Sequence, residues 1–137
     1  MIKVSAGIVI HEGNVLICQR NTGGQCVGLW EFPGGKQENG ETETECLCRE
    51  CSEELSVTIT ARCLFNRFTW RDAEKEILFS FFLAEIAAGE AQCLEHQAIR
   101  WVQPSALHEY TFCPADATII PKLQLYFSIE SPPPKKG

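Results

Sequence analysis

No stretch of this 137-residue sequence approaches 18 consecutive apolar residues, so no membrane-spanning helix is expected. A basic cluster is missing too. The 12 Lys and Arg are scattered against 18 Asp and Glu, giving a net charge of −6 and a pI near 5.1. A nucleic-acid duplex or an anionic membrane is thereby excluded as main partner, because no cationic excess exists to neutralise phosphates. Any phosphate-bearing ligand would need a divalent cation to offset its charge. The opening MIKVSAGIVIHEG lacks the long apolar segment and small-residue cleavage site of a secretion signal. The eight cysteines are therefore expected as free thiols in a reducing, cytoplasmic setting rather than as a disulfide framework. Neither a repeat nor a linker interrupts residues 1–130, which read as one domain. The Pro-rich SPPPKKG at 131–137 is expected to be an extended, solvated tail.

What is present is β-rich, with one strongly marked helix. VSAGIVI and VLICQR, joined at Glu12-Gly13-Asn14, read as a hairpin. NTGGQCVG at 21–28 reads as a loop, and LWEF as a short strand stopped by Pro33, Gly34 and Gly35. Thr42 followed three residues later by Glu45 is a capping box, which predicts a helix over about 42–55. VTITARCLFNRFTW and EILFSFFLAEI have the composition of two long strands joined by RDAEK, and AIRWV that of a short one. Phe79, Phe81 and Phe82 are assigned to packing. A last helix is expected over about 118–128, with Pro121 tolerated in its first turn.

Seven glutamates lie between residues 38 and 54. At about 100° per residue, Glu50, Glu53 and Glu54 share a face about 100° wide, beside a separate apolar stripe of Leu47, Cys48, Cys51 and Leu55. Cys46, Cys48 and Cys51 point in different directions with no fourth ligand following, and read as small buried hydrophobes. Glu50 and Glu54 form a like-charge i,i+4 pair, and Glu53 and Glu54 oppose the helix dipole. Arg49 can relieve part of this by pairing with Glu45 and Glu53. Uncompensated violations of local rules mark functional sites, and converging carboxylates suit a hard cation, Mg2+ or Mn2+.

The segment GKQENGETETECLCRECSEELSV at 35–57 closely resembles the Nudix box, Gx5Ex7REUxEExGU, with Gly35, Glu41, Arg49, Glu50, Glu53 and Glu54 in register. Cys51 stands at the first bulky apolar position, and Ser56 replaces the glycine that ends the helix. LWEFPGGK, EHQAIRWV and CPADA are similar to segments of the MutT-like group, bacterial CTP pyrophosphohydrolases in particular. The resemblance implies an α/β fold, an α/β/α sandwich around a mixed sheet with two main helices, and a monomer or homodimer.

It also implies a Mg2+-dependent hydrolase that converts a nucleoside triphosphate and water to the monophosphate and pyrophosphate. Carried over, Glu50, Glu53, Glu54, Glu95 and the Gly34 carbonyl would hold the metal. Glu50 or Glu95 would be the general base, with Glu53 beside them and Arg49 orienting the carboxylates. Arg20, Lys36 and Asp116 would contact substrate, Asp116 at the nucleobase edge unless it merely caps the last helix. Residues 58–92 contain neither the proline that marks ADP-ribose hydrolases nor the tyrosine that marks dinucleoside-polyphosphate hydrolases. CTP or dCTP is the expected substrate. The alternatives are a housecleaning enzyme for oxidised purine dNTPs such as 8-oxo-dGTP, and a non-catalytic nucleotide sensor, which should have lost box carboxylates.

Overall fold

The computed structural model describes residues 1–21 and 24–130; the expected Pro-rich tail lies outside them. Ile2–His11 (β1) and Asn14–Gln19 (β2) form the expected hairpin, and Trp30–Glu31 (β3) adds to β2. Thr58–Arg71 (β5) and Glu76–Ala88 (β6) pair antiparallel, and β6 runs parallel to β1 from Ile2–Ile77 to Ile10–Glu85. Ala98–Val102 (β7) closes on β2. The result is a seven-stranded mixed sheet with the order β3-β2-β1-β6-β5, β7 also pairing with β2.

Side chains alternate across β1, so the sheet has a core on each face. Ala6 and Ile8 join Trp30, Phe32, Phe81, Leu107, Ile119 and Leu123 on one side. Val9 joins Leu16, Leu47, Cys51, Leu55 and Phe82 on the other. Helix Glu43–Leu55 (α1) covers the second face, and Ile120–Glu130 (α3), with a 3-10 turn at Pro104–Glu109, covers the first. This is the expected α/β sandwich with two main helices. Phe81 and Phe82 are buried, and Phe79 and Phe81 stack with Phe68. Among the described residues no helix is long and apolar enough to cross a membrane.

Two expectations change. Gly34 and Gly35 do not stop a strand; Gly34–Lys36 is itself a strand (β4) paired with β1. The glycines serve close backbone approach, because a Cβ on Gly34 (φ 153°) would lie 2.0 Å from the Ser5 carbonyl oxygen. The second change is an addition: Pro114–Ala117 (α2) forms an unexpected short helix before the last helix, which itself runs Ile120–Glu130 (α3), close to the expected span and with Pro121 in its first turn.

Helix α1 begins as expected. Thr42 Oγ1 accepts the Glu45 N–H at 3.1 Å, and the Glu45 carboxylate accepts the Thr42 N–H at 2.9 Å. Glu43, one residue further on, accepts bonds from Arg67 and Ser80 and ties the start of the helix to the sheet. The helix ends at Ser56 in the left-handed conformation (φ 57°, ψ 38°), its N–H on the Ser52 carbonyl. Glycine adopts this geometry without steric penalty. Because the left-handed region costs a non-glycine residue about 1–2 kcal/mol and glycine's extra entropy offsets about 0.5–1 kcal/mol of that, Ser56→Gly is expected to raise the melting temperature by about 2–4 °C with unchanged activity.

Candidate active site

Helix α1 lays its carboxylates over the glycine strand. An added Cβ on Gly35 would stand 2.4 Å from the Glu50 carboxyl carbon, so Glu50 rests directly on bare backbone. The ladder bonds from Gly7 N–H to Pro33 and from Gln37 N–H to Lys3 flank this stretch. In an antiparallel ladder the alternation then turns the Gly34 carbonyl away from β1, on the side where β4 has no strand neighbour.

The buried face of α1 is wider than the apolar stripe read from the sequence. Cys46, Leu47, Cys51 and Leu55 are buried, Cys48 only partly, and Glu54 is buried among them at 6% exposure. One Glu54 oxygen, Oε2, is buried with no hydrogen-bond partner among the described residues. Burial, then the charges of Glu50, Glu31 and Glu95, push its carboxyl up to about 9. Glu50 is also raised, chiefly by burial, against the opposing pull of Arg49.

Arg49 does not pair with Glu45, which is committed to the helix cap. Its guanidinium instead makes a two-pronged bond with Glu41 (2.6 and 3.0 Å) and reaches Glu50 at 3.0 Å, Glu53 at 3.3 Å and the Lys36 carbonyl at 3.1 Å. Those bonds, with a backbone bond to Glu38, hold the Glu41 carboxyl down at about 2. With Glu38 also within 3.7 Å, Arg49 thus acts as an internal counter-ion for four carboxylates. Glu38 and Glu53, each with more than half its side chain in solvent, are the outermost.

The remaining expected residues fall in four places. Glu95 is exposed on the segment between β6 and β7, within electrostatic reach of Glu54. The Leu94 N–H bonds the Glu54 carbonyl at 3.2 Å, holding that segment against the end of α1. Arg20 follows β2 and pairs with Glu31 at 2.9 Å. Asp116 does not cap the last helix: it is buried inside α2, and its Oδ2 accepts the Phe32 N–H at 3.0 Å. Burial pushes Asp116 up to about 7, with Glu31 adding to the rise and the Phe32 bond and Arg20 opposing it. Lys36 is not brought to the carboxylates, because strand alternation sets it on the face opposite Gly35, where it lines a shallow cavity with Met1, Lys3 and Glu38.

Two residues were missed. Glu31 bonds Arg20 through one oxygen and His96 Nε2 through the other, at 3.0 Å, and its charge bears on Glu54 and Asp116 alike. The available signal was a charge between Trp30 and Phe32, which alternation places on the α1 face of a strand whose neighbours are core. His96 adjoins Glu95 in sequence but is itself only 7% exposed.

A divalent cation fits this donor set. Among the described residues Glu54 has a buried oxygen without a partner, Glu50 stands beside it, and Arg49, which pairs with Glu50 and Glu53, forms no ion pair with Glu54. No group of three acidic, His or Cys side chains among the described residues stands close enough together to hold an ion, and Glu53 is held by Arg49, so Glu53 would have to turn from Arg49 to join Glu50 and Glu54.

A family model described as "NUDIX domain" matches residues 1–123. An 8-oxo-dGTP diphosphatase of Haemophilus influenzae is 37% identical over 124 residues, covering 90% of this chain and 91% of that protein. The CTP pyrophosphohydrolase of Escherichia coli is 32% identical over 134 residues, 98% and 97% of the two chains. The solution structure of the Escherichia coli ORF135 protein superposes with a TM-score of 0.78 at 31% identity, covering 99% of this chain and 95% of that one.

Proposed function

The chain belongs to the NUDIX family of hydrolases, and from that premise we propose that it is a divalent-metal-dependent nucleoside triphosphate pyrophosphohydrolase acting on CTP or dCTP in the cytoplasm. The reaction is nucleoside triphosphate plus water giving the monophosphate and pyrophosphate. The observation that carries this reading is the buried, partnerless oxygen of Glu54 beside Glu50 over a glycine strand.

Glu50, Glu53, Glu54, Glu95 and the Gly34 carbonyl would hold Mg2+ or Mn2+, which when bound supplies Lewis-acid polarisation of phosphoryl oxygens. Arg49 fixes the carboxylates of Glu41 and Glu50 so that little reorganisation remains when a polyphosphate arrives. Glu50 or Glu95 takes the proton of the attacking water, an effect worth about 10²–10⁴ in rate. Arg20, more than a third exposed, holds Glu31 through Nη1 and the Gln25 carbonyl through Nε, and would turn its remaining Nη2 to a phosphate. Asp116, titrating near neutrality, can accept from the exocyclic amine of cytosine.

The pyrimidine assignment draws support from the relative named CTP pyrophosphohydrolase, which matches nearly end to end. The relative with the higher identity, named 8-oxo-dGTP diphosphatase, supports an oxidised purine substrate equally, and the two readings separate in one assay. Pyrophosphate release is measured with Mg2+ and CTP, dCTP, dGTP or 8-oxo-dGTP. The expected result is a kcat/KM at least tenfold higher for CTP or dCTP than for either purine. A preference for 8-oxo-dGTP moves the enzyme to the housecleaning reading. Absence of pyrophosphate release from every triphosphate overturns both.

A further inference from the structure

The His96 side chain is only 7% exposed, yet it is paired on one side. Its Nε2 lies 3.0 Å from Glu31 Oε2, while Nδ1 is buried with no hydrogen-bond partner among the described residues. A carboxylate only accepts, so Nε2 is the donor of this bond. A buried ring nitrogen left without a partner is costly, a penalty that leucine or phenylalanine would avoid while filling the same space. The imidazole is therefore kept for its bond to Glu31.

That bond has a mechanical role. The segment joining β6 to β7 is pinned before Glu95 by Gln92 N–H on Leu55 and Leu94 N–H on Glu54, and after it by Gln97 N–H on Gln19. Between these pins the backbone carries Glu95 and His96. Asn21 donates to the Glu95 carbonyl at 3.0 Å, and His96 alone among these two residues anchors by its side chain. Its anchor is itself fixed, because the other Glu31 oxygen is held by Arg20 at 2.9 Å.

We infer that His96 is a positioning residue: its bond to the Glu31–Arg20 pair fixes the backbone that carries the Glu95 carboxylate beside the Glu54 end of α1. The inference rests on the proposed reading of the site. His96 touches neither water nor phosphate; it acts through its neighbour.

The test uses the full chain with Mg2+ and the best triphosphate of the panel. His96→Ala is expected to lower kcat at least tenfold with KM within about threefold, whereas His96→Gln, whose amide nitrogen can stand in for Nε2, returns to within about threefold of wild type. Glu95→Gln and the His96→Ala/Glu95→Gln double variant are expected to have equal kcat, because the two residues act in series. Independently of activity, hydrogen exchange should show lost protection at Leu94 and Gln97 in His96→Ala and retained protection in His96→Gln. Multiplying losses in the double variant, a Gln variant no better than Ala, or unchanged exchange overturns the inference. Those outcomes leave pyrophosphate release by the wild type intact, so failure here is distinguishable from failure of the functional reading.

Discussion

Glu54→Gln is expected to lower kcat at least a thousandfold while making the metal-free protein more stable. The two effects share one cause. Without a cation the Glu54 carboxyl sits buried beside Glu50 with one oxygen unpartnered, and its folded pKa is raised from 4.5 to about 9. Between those values the folded chain keeps a proton that the unfolded chain releases, so stability falls as pH rises from 4.5 towards 9, at about 1.4 kcal/mol per pH unit. At pH 7 the liability is about 3 kcal/mol. Glutamine removes the titration and can donate to Glu50. Metal-free Glu54→Gln should therefore melt several degrees above wild type at pH 7 and show a flatter stability profile between pH 5 and 9. Saturating Mg2+, which favours the ionised carboxylate, should flatten the profile of the wild type and leave the variant unmoved. A metal-free variant with the wild-type slope would show that Glu54 is not the strained group.

This trade between stability and activity explains which parts of the molecule were legible in the sequence. Strands β5, β6 and β7 and helix α1 were readable because their patterns are local: β-branched and aromatic runs in the strands, the Thr42–Glu45 box at the helix start. The carboxylates that converge were readable from their spacing. Their burial was not. On the same wheel Cys46 and Leu47 bracket both Glu50 and Glu54, and the apolar stripe was drawn without Cys46. Including it gives the buried arc that the structure shows, with Glu54 inside it.

Other misses have a different origin. Gly34 and Gly35 are breakers in any local reading, and only the pairing of β4 with β1 shows that they were glycines for the sake of close approach. The cap that stood as the alternative for Asp116 rested on its place before the last helix, whereas its partner is the Phe32 N–H, 84 positions away in sequence. Glu31 and His96, 65 positions apart, carry no local signal for each other. Long-range polar pairing is what a single sequence conceals, and here it connects the box to the loops around it.

Gly35→Ala is the sharpest test of how the box geometry acts. Gly35, unlike Gly34, is not in a positive-φ conformation, so alanine is allowed there by its backbone. The three heavy atoms nearest to the new Cβ would all belong to the Glu50 carboxylate, at 2.4 to 2.6 Å. That carboxylate ends a flexible side chain and can swing away, so the fold should survive with a melting temperature within about 4 °C of wild type, corresponding to about 1 kcal/mol. Its charge is unchanged, but it can no longer stand beside Glu54 or keep its 3.0 Å bond to Arg49. A displacement of about 1 Å at a catalytic group is worth about 10² in rate, and kcat should fall at least a hundredfold, towards the level of Glu50→Gln. Gly34→Ala makes the contrast: its Cβ meets the Ser5 carbonyl oxygen at 2.0 Å and the Ala6 Cα at 2.7 Å, backbone atoms that cannot move aside, so that variant should lose the fold. Melting curves and kcat for the three variants distinguish the cases. Wild-type turnover in Gly35→Ala would mean that the position of Glu50 does not govern the reaction.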